Sequence, residues 1–239
     1  MFLRCDAEGA GVVDLDPGIY EFRQDRHFYR ATFQTVHHGV ATAHSTAYLD
    51  APEFVAAFDR GLALYPSGES ERQNLALKVY TTASLAKQAP KGDFIEVGVS
   101  WGVFARTILD YAKPERFFLV DAWEGLYDDG EACVDYCSDI DFIRRSFPDA
   151  VPVQGMAPEI LDTIDGEFAF VHLELDYGGD MEIACLEALV PRCVPGAIII
   201  IENAYSSQSS YGQNLDLAAK ALGVTITGTA QGQGIIIIH

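Results

Sequence analysis

The stretch GDFIEVGVSWG, residues 92–102, decides the fold of this chain. Its apolar run, residues 94–97, contains the acid Glu96 and predicts a short strand. Small residues follow at Gly98, Ser100 and Gly102. A helical segment, residues 103–112, comes next. Because glycines let the backbone turn sharply and let a ligand approach the main chain, this pattern predicts a strand, a tight turn and a helix with a ligand at the turn.

The acid at this strand argues against a dinucleotide. A dinucleotide site sets its glycines against a pyrophosphate, which a carboxylate repels. A second apolar run, residues 117–120, ends in Asp121, where an acid commonly binds ribose hydroxyls. Two acids at neighbouring strand tips favour S-adenosylmethionine (SAM), which carries a sulfonium, an ammonium and ribose hydroxyls but no phosphate. A nicotinamide-dependent oxidoreductase is the weaker alternative, because the chain lacks Gly-x-Gly-x-x-Gly.

The composition limits which classes of molecule the protein can bind. The chain has 239 residues and a net charge of −19, and such a field repels nucleic acids and anionic membranes. We therefore expect a small-molecule acceptor. No apolar run approaches the ~20 residues that span a bilayer. The five cysteines include no CxxC pair, so we expect reduced thiols and a cytoplasmic protein.

The pattern of apolar residues divides the chain into two parts. Residues 1–68 are expected to form an N-terminal extension that covers the site as a lid, with short strands suggested by alternation in residues 18–22 and 27–33. Helix starts are predicted near Pro52 and Ser70 from their capping patterns. Residues 69–239 are expected to form the SAM-dependent methyltransferase domain.

Strand and helix patterns alternate from residue 93 onward. Seven strands are predicted, at residues 94–97, 117–120, 151–153, 168–174, 197–201, 224–229 and 234–238. Helices are predicted at residues 103–112, 138–146, 157–163, 180–190 and 212–222. The fold class is therefore α/β, with a Rossmann-like, doubly wound, mostly parallel sheet. A short loop before the last strand predicts that this strand runs antiparallel.

A second group of polar side chains follows the fourth and fifth predicted strands. Glu174 and Asp176 come at the end of one strand, and Glu202 and Asn203 follow the other. Because the carboxyl ends of parallel strands meet at one edge, Glu174, Glu202 and Asn203 predict an all-oxygen site for Mg²⁺. Asp176 would then accept the proton of a substrate hydroxyl. Solvated carboxylates at strand ends are the alternative.

Several segments from residue 69 to 239 resemble the macrocin O-methyltransferase family. The resemblance rests on DFIEVGV (93–99), VDAWEGL (120–126), FVHLELD (170–176), LVPRCVPG (189–196) and GQGII (232–236). It implies a SAM- and Mg²⁺-dependent enzyme that methylates a sugar hydroxyl, with metal ligands at Glu174, Glu202 and Asn203 and a general base at Asp176. The family usually has Asp at all three metal positions, so this chain offers one carboxylate fewer.

The predicted cofactor site follows the ends of the first three predicted strands from residue 93 onward. Its predicted residues are Glu96, Gly98, Ser100, Gly102, Asp121, Ala122, Trp123, Gly155 and Met156. The predicted function is O-methylation of a hydroxyl on a sugar or other small specialised metabolite. The altered metal positions keep a second hypothesis open, a non-catalytic SAM-fold binding subunit. The sequence also leaves a homo-oligomer open.

Overall fold

The structure is a computed structural model that describes residues 18–24, 27–33, 36–37, 40–41, 51–66, 68–123, 138–175, 179–205, 211–229 and 232–239. Its first strands are β1 (Gly18–Gln24), β2 (His27–Phe33), β3 (Val36–His37) and β4 (Val40–Ala41). β1 pairs with β2 and β3 with β4, both antiparallel. The short strands expected in this segment are therefore confirmed.

A seven-stranded sheet forms the centre of the molecule. Its strands are β5 (Asp93–Val97), β6 (Phe117–Asp121), β7 (Val151–Gln154), β8 (Phe168–Leu173), β9 (Cys193–Ile201), β10 (Thr227–Gly228) and β11 (Gly234–Ile237). They lie in the order β10-β11-β9-β8-β5-β6-β7. The five strands from β5 to β9 run parallel, while β11 runs antiparallel to both neighbours. The predicted doubly wound, mostly parallel sheet is confirmed.

Helices cover both faces of this sheet. They are α1 (Pro52–Leu62), α2 (Gly68–Ala86), α3 (Val103–Tyr111), α4 (Ile140–Ser146), α5 (Asp180–Leu189) and α6 (Tyr211–Ala221). The helix predicted at residues 157–163 is a 3₁₀ turn, Glu159–Thr163, instead. Pro158 has no backbone N–H, and Ile164 is already extended, so too few residues remain for a stable α-helix. β9 begins at Cys193, earlier than predicted, and β10 is shorter.

Two buried clusters hold the layers together, one on each face. On one face Phe94, Phe170 and Ile198 of the sheet pack with residues of α1, α2 and α3. On the other, Ile95 and Val171 pack with α5 and α6. Alternate residues of each strand face opposite clusters, as strand geometry requires. The runs that looked apolar on both faces are therefore buried on both faces.

Helix α1 packs closely against α3. A Cβ at Gly61 would lie 2.7 Å from the backbone oxygen of Val103, so only glycine allows this approach. The division of the chain at residue 68 stays a prediction, although α1 contributes to the core cluster of the following segment. In the part of the chain described here, no helix is long and apolar enough to cross a membrane.

Candidate functional site

The glycine-rich turn after β5 has the backbone conformation that its residues predict. Gly98, Ser100 and Gly102 all have positive φ, at 87°, 52° and 81°. A Cβ at Gly98 would lie 1.9 Å from the backbone oxygen of Glu174. Gly98 is therefore needed because the end of β8 passes directly beside the turn, in addition to its left-handed φ.

The carboxylate of Asp121 holds this turn from the neighbouring strand. Its Oδ2 accepts hydrogen bonds from the backbone N–H groups of Val99, at 2.7 Å, and Ser100, at 2.8 Å. Its Oδ1 accepts from the N–H of Trp123 at 3.0 Å. A carboxylate offers about four acceptor positions, so one remains for a ligand donor. Sequence reasoning placed Asp121 at the ligand but missed that it also fixes the turn.

Four more predicted cofactor residues lie together at the ends of β6 and β7. Ala122 and Trp123 follow β6 directly, and Trp123 is fully buried with a φ of 48°. The backbone N–H of Gly155 donates to the Asp121 carbonyl at 3.0 Å, which brings Gly155 and the exposed Met156 beside them. Ala122, Trp123, Gly155 and Met156 therefore share one edge with the turn. Their contact with a ligand stays a prediction.

Two indole groups near the turn are buried donors without acceptors. Within the described residues, neither Trp101 Nε1 nor Trp123 Nε1 has a hydrogen-bond partner. Trp101 packs edge-on against Phe142, with ring centroids 5.5 Å apart. An unpaired buried N–H is costly, so these groups suit a ligand that brings acceptor atoms.

Glu96 belongs to a buried line of charged side chains. It is 1% exposed, and its Oε2 lies 3.4 Å from Nδ1 of His172 on β8. On the other side of that ring, His172 Nε2 lies 3.3 Å from Oε1 of Glu202, the residue that follows β9. The line therefore crosses β5, β8 and the end of β9. Whether Glu96 touches a cofactor stays a prediction.

Burial and charge act in opposite directions on this line. Burial lowers the pKa of His172, but its hydrogen bonds to Glu202 and Glu96 outweigh that effect and raise the pKa to about 10. Burial raises the pKa of Glu96 despite the contact with His172. For Glu202, His172, Lys78 and Gln233 together outweigh burial, so the pKa of this carboxyl is lowered. The contact with Glu202 therefore favours the protonated form of the His172 ring.

The three predicted metal ligands do come from neighbouring strand ends. The N–H of Glu174 donates to the Val97 carbonyl at 2.9 Å, and the N–H of Glu202 to the Leu173 carbonyl at 2.8 Å. Burial, and next the nearby charge of Glu202, raise the pKa of Glu174 to about 7. The strand ends therefore converge as the sequence predicts.

A lysine lies where a cation would bind to two of these residues. Lys78 on α2 donates from Nζ to Asn203 Oδ1 at 2.8 Å and lies 3.6 Å from Glu202 Oε2. Over the described ranges, no group of three or more His, Cys, Asp or Glu side chains is placed to hold a metal ion. The residues present therefore do not fit the predicted Mg²⁺. Asp176, the predicted base, lies outside the described residues.

The fold matches known methyltransferases. The O-methyltransferase NovP superposes with a TM-score of 0.56 at 15% identity, over 67% of this chain and 79% of that chain. The methyltransferase PaMTH1 from Podospora anserina, bound to S-adenosylhomocysteine (SAH), gives 0.52 at 14% identity, over 81% and 93%. Cofactor-bound Rv0187 from MTB gives 0.50 at 15% identity, over 80% and 94%. The fold of this chain is therefore the Rossmann-like fold that these methyltransferases share.

Comparison of sequences does not identify a family for this chain. No family model matches the chain, and no curated protein matches its sequence. The resemblance to the macrocin family therefore rests on the motifs alone.

Proposed function

We propose that this chain is a SAM-dependent O-methyltransferase that acts on a hydroxyl of a sugar or another small specialised metabolite. The observation that carries the proposal is the state of the turn after β5. In a dinucleotide site the turn amides bind phosphate. Here the amides of Val99 and Ser100 already donate to the Asp121 carboxylate. A phosphate would meet a negative charge instead of free N–H groups, whereas the phosphate-free SAM would not.

The residues at this edge match the polar groups of SAM. Asp121 has one acceptor position left for a ribose hydroxyl. Trp101 Nε1 is a buried donor beside the turn that lacks an acceptor, and the carboxylate of the methionine part could provide one. Trp123, Gly155 and Met156 lie where the adenine would rest. Glu96 would act on the cofactor only through its field, because its side chain faces His172.

When bound, SAM supplies an electrophilic methyl group. The chain must then bind the acceptor hydroxyl in line, remove its proton and exclude water. We propose that Asp176 accepts that proton, because it follows Glu174 by two positions in the sequence. We also propose that residues 1–68 form the extension that covers the acceptor.

The macrocin-like motifs support a sugar hydroxyl as the acceptor class. DFIEVGV, FVHLELD and GQGII overlap β5, β8 and β11, so three of the five motifs that carry the resemblance contribute strands of the sheet. The departures at Glu174, Glu202 and Asn203 fall where Lys78 enters the site. We therefore assign no step to a metal ion.

Calorimetric titration with SAH and with NAD tests the proposal. We expect SAH to bind with one site per chain and NAD to give no heat above dilution. Binding of NAD without binding of SAH would overturn the proposal in favour of an oxidoreductase. Where SAH binds, a screen of glycosylated metabolites for methyl transfer identifies the acceptor. The alternative, a non-catalytic binding subunit, predicts SAH binding without methylation of any acceptor.

A further inference from the structure

The side chain of Lys78 is the part of the acceptor site that the fold does not explain. It extends from α2 to the carboxyl end of β9 and contacts Asn203 and Glu202. We propose that the Lys78 ammonium replaces a divalent cation at the acceptor site, so that methyl transfer needs no metal and the acceptor oxygen meets a lysine N–H. This inference deepens the proposed function and rests on it.

The contacts of Lys78 leave part of the ammonium available. One N–H donates to Asn203 Oδ1 at 2.8 Å, and a second points to the charge of Glu202, with Nζ and Oε2 3.6 Å apart. An ammonium has three protons, so a third remains for a ligand. The Lys78 side chain is 23% exposed, whereas that of Glu202 is fully buried. Lys78 therefore links the buried acid to the accessible part of the site.

Both oxygens of Glu202 lie close to other polar groups, although Oε2 has no hydrogen-bond partner among the described residues. Its Oε1 accepts from Gln233 Nε2 at 2.5 Å and from Thr82 Oγ1 at 3.3 Å, and it lies beside His172. Its Oε2 faces Lys78. Because Mg²⁺ needs about six oxygen ligands at roughly 2.0–2.1 Å, it could reach this carboxylate only by displacing Lys78.

Lys78 already places a positive charge beside Glu202, with Nζ 3.6 Å from Oε2. Asn203 is neutral where the resembling family has a carboxylate. A divalent cation beside Glu202 would therefore lie next to the Lys78 ammonium, and two like charges at a largely buried site repel each other. The lysine and the asparagine therefore form a consistent pair of replacements.

The proposed step is balanced without a further reactant. The acceptor oxygen loses its proton to Asp176 and bonds to the methyl carbon, while the carbon–sulfur bond breaks and its electron pair stays on sulfur. The remaining N–H of Lys78 donates to the acceptor oxygen. It thereby stabilises the negative charge that develops there before the new bond is complete.

Metal binding to the unmodified chain is the first test. Mn²⁺ is titrated into the full chain and into Glu202→Gln, and the free ion is followed by electron paramagnetic resonance. We expect the two proteins to bind Mn²⁺ equally, through surface acids. One equivalent bound by the unmodified chain and lost in Glu202→Gln would overturn the proposal.

Turnover is the second test, on an acceptor found by the metabolite screen. We expect EDTA to leave the rate unchanged. We expect Lys78→Met to lower kcat by about 100-fold, the size of one lost charge-stabilising donor, with SAH affinity unchanged. Lys78→Arg should keep part of the rate, and Lys220→Met, at an exposed lysine of α6, should keep all of it. Loss of activity in EDTA, restored by Mg²⁺, would overturn the proposal, as would full kcat in Lys78→Met.

The two proposals fail separately. If the unmodified chain does not bind SAH, the methyltransferase function fails, and the Mn²⁺ titration still decides whether a metal site exists. If SAH binds and Mn²⁺ occupies a site at Glu202, only the role of Lys78 fails. If Lys78→Met does not fold, the EDTA result and the rate of Lys78→Arg decide whether Lys78 takes the place of a metal ion.

Discussion

Two carboxylates at the carboxyl edge of the sheet are held in opposite ways. Asp121 is held by the neutral N–H groups of Val99, Ser100 and Trp123. Glu202 lies between the His172 ring and the Lys78 ammonium, in addition to neutral donors. Both acids looked alike in the sequence, since each follows an apolar run. Their surroundings give them different roles.

The difference lies in the charge that remains. Backbone dipoles orient Asp121 but do not cancel its charge, so the edge at β6 stays negative and suits a cationic ligand. At Glu202 the Lys78 ammonium lies 3.6 Å from Oε2 and offsets the charge of the carboxylate, at the position where we propose that no metal ion is needed. The region around Asp121 therefore suits the cofactor, and the region around Glu202 offers the acceptor a hydrogen-bond donor.

Loss of the Glu202 charge should have the largest effect on stability. Glu202→Gln leaves His172 and Lys78 buried or half-buried without their counter-ion, and removing one partner of a buried pair costs about 3–5 kcal/mol. Urea unfolding measures the loss. Glu187→Gln, at an exposed position on α5, is the control and should change stability by less than about 0.5 kcal/mol. Equal effects of the two substitutions would contradict a charged line.

The turn itself can be tested through Gly98→Ala. The new Cβ would lie 1.9 Å from the Glu174 carbonyl oxygen, at a φ of 87°. We expect a loss of roughly 2–4 kcal/mol from backbone strain and overpacking together. Gly223→Ala is the matched control, because its φ is 75° and nothing lies within 4 Å of the added Cβ. It should lose only the strain, roughly 1–2 kcal/mol; equal losses would mean that β8 does not press on the turn.

The raised pKa of His172 predicts a pH dependence of stability. The pKa of His172 is about 10 in the folded chain against a usual value of 6.5. The folded state therefore holds a proton that the unfolded state releases, and the stabilisation is complete below pH 6.5 and lost as the pH rises through 10. Between these values the free energy of unfolding should fall by about 1.4 kcal/mol per pH unit from this group.

Urea unfolding over this pH range, in the unmodified chain and in His172→Gln, measures that slope. His172→Gln should flatten the dependence even where it lowers stability throughout. An unchanged slope would mean that the ring is neutral in the folded state, and the charge balance around Glu202 would then be wrong.

The smallest stability effect is expected at Asp121. In Asp121→Asn one acceptor oxygen is lost and the amide group opposes a backbone N–H, so about 1–3 kcal/mol should be lost. SAH affinity should also fall, by about tenfold or more, because hydrogen bonds to charged groups contribute roughly 1.5–3 kcal/mol. Asp162→Asn, at an exposed residue, should change neither quantity. Unaltered SAH affinity in Asp121→Asn would remove Asp121 from the cofactor site.

The order and type of the central elements could be predicted because their signals are local. The apolar runs at β5, β6, β8 and β9 and the small residues of the turn are visible in the sequence. Convergence of Glu174 and Glu202 could also be predicted, since it follows from parallel neighbours. The 3₁₀ turn at Glu159–Thr163 was missed, because a helical pattern of apolar residues does not show that the segment is too short for a stable α-helix.

The partners of the acids could not be predicted from sequence. Lys78 lies 125 positions before Asn203, and nothing local relates α2 to the end of β9. The pairing of Glu96 with His172 depends on the register of β5 and β8, which the hydrophobic pattern does not fix to one residue when both faces are buried. Thr82 was the available signal, because this polar residue lies four positions after Lys78, on the same face of α2, and is buried.

A crystal structure of the complex with SAH tests the central claim most directly. The account predicts that both ribose hydroxyls lie at the carboxyl end of β6 and that one donates to the Asp121 carboxylate at about 2.6–3.0 Å, with the Val99 and Ser100 amides still on Oδ2. SAH bound elsewhere, or bound with its ribose out of reach of Asp121, would contradict it.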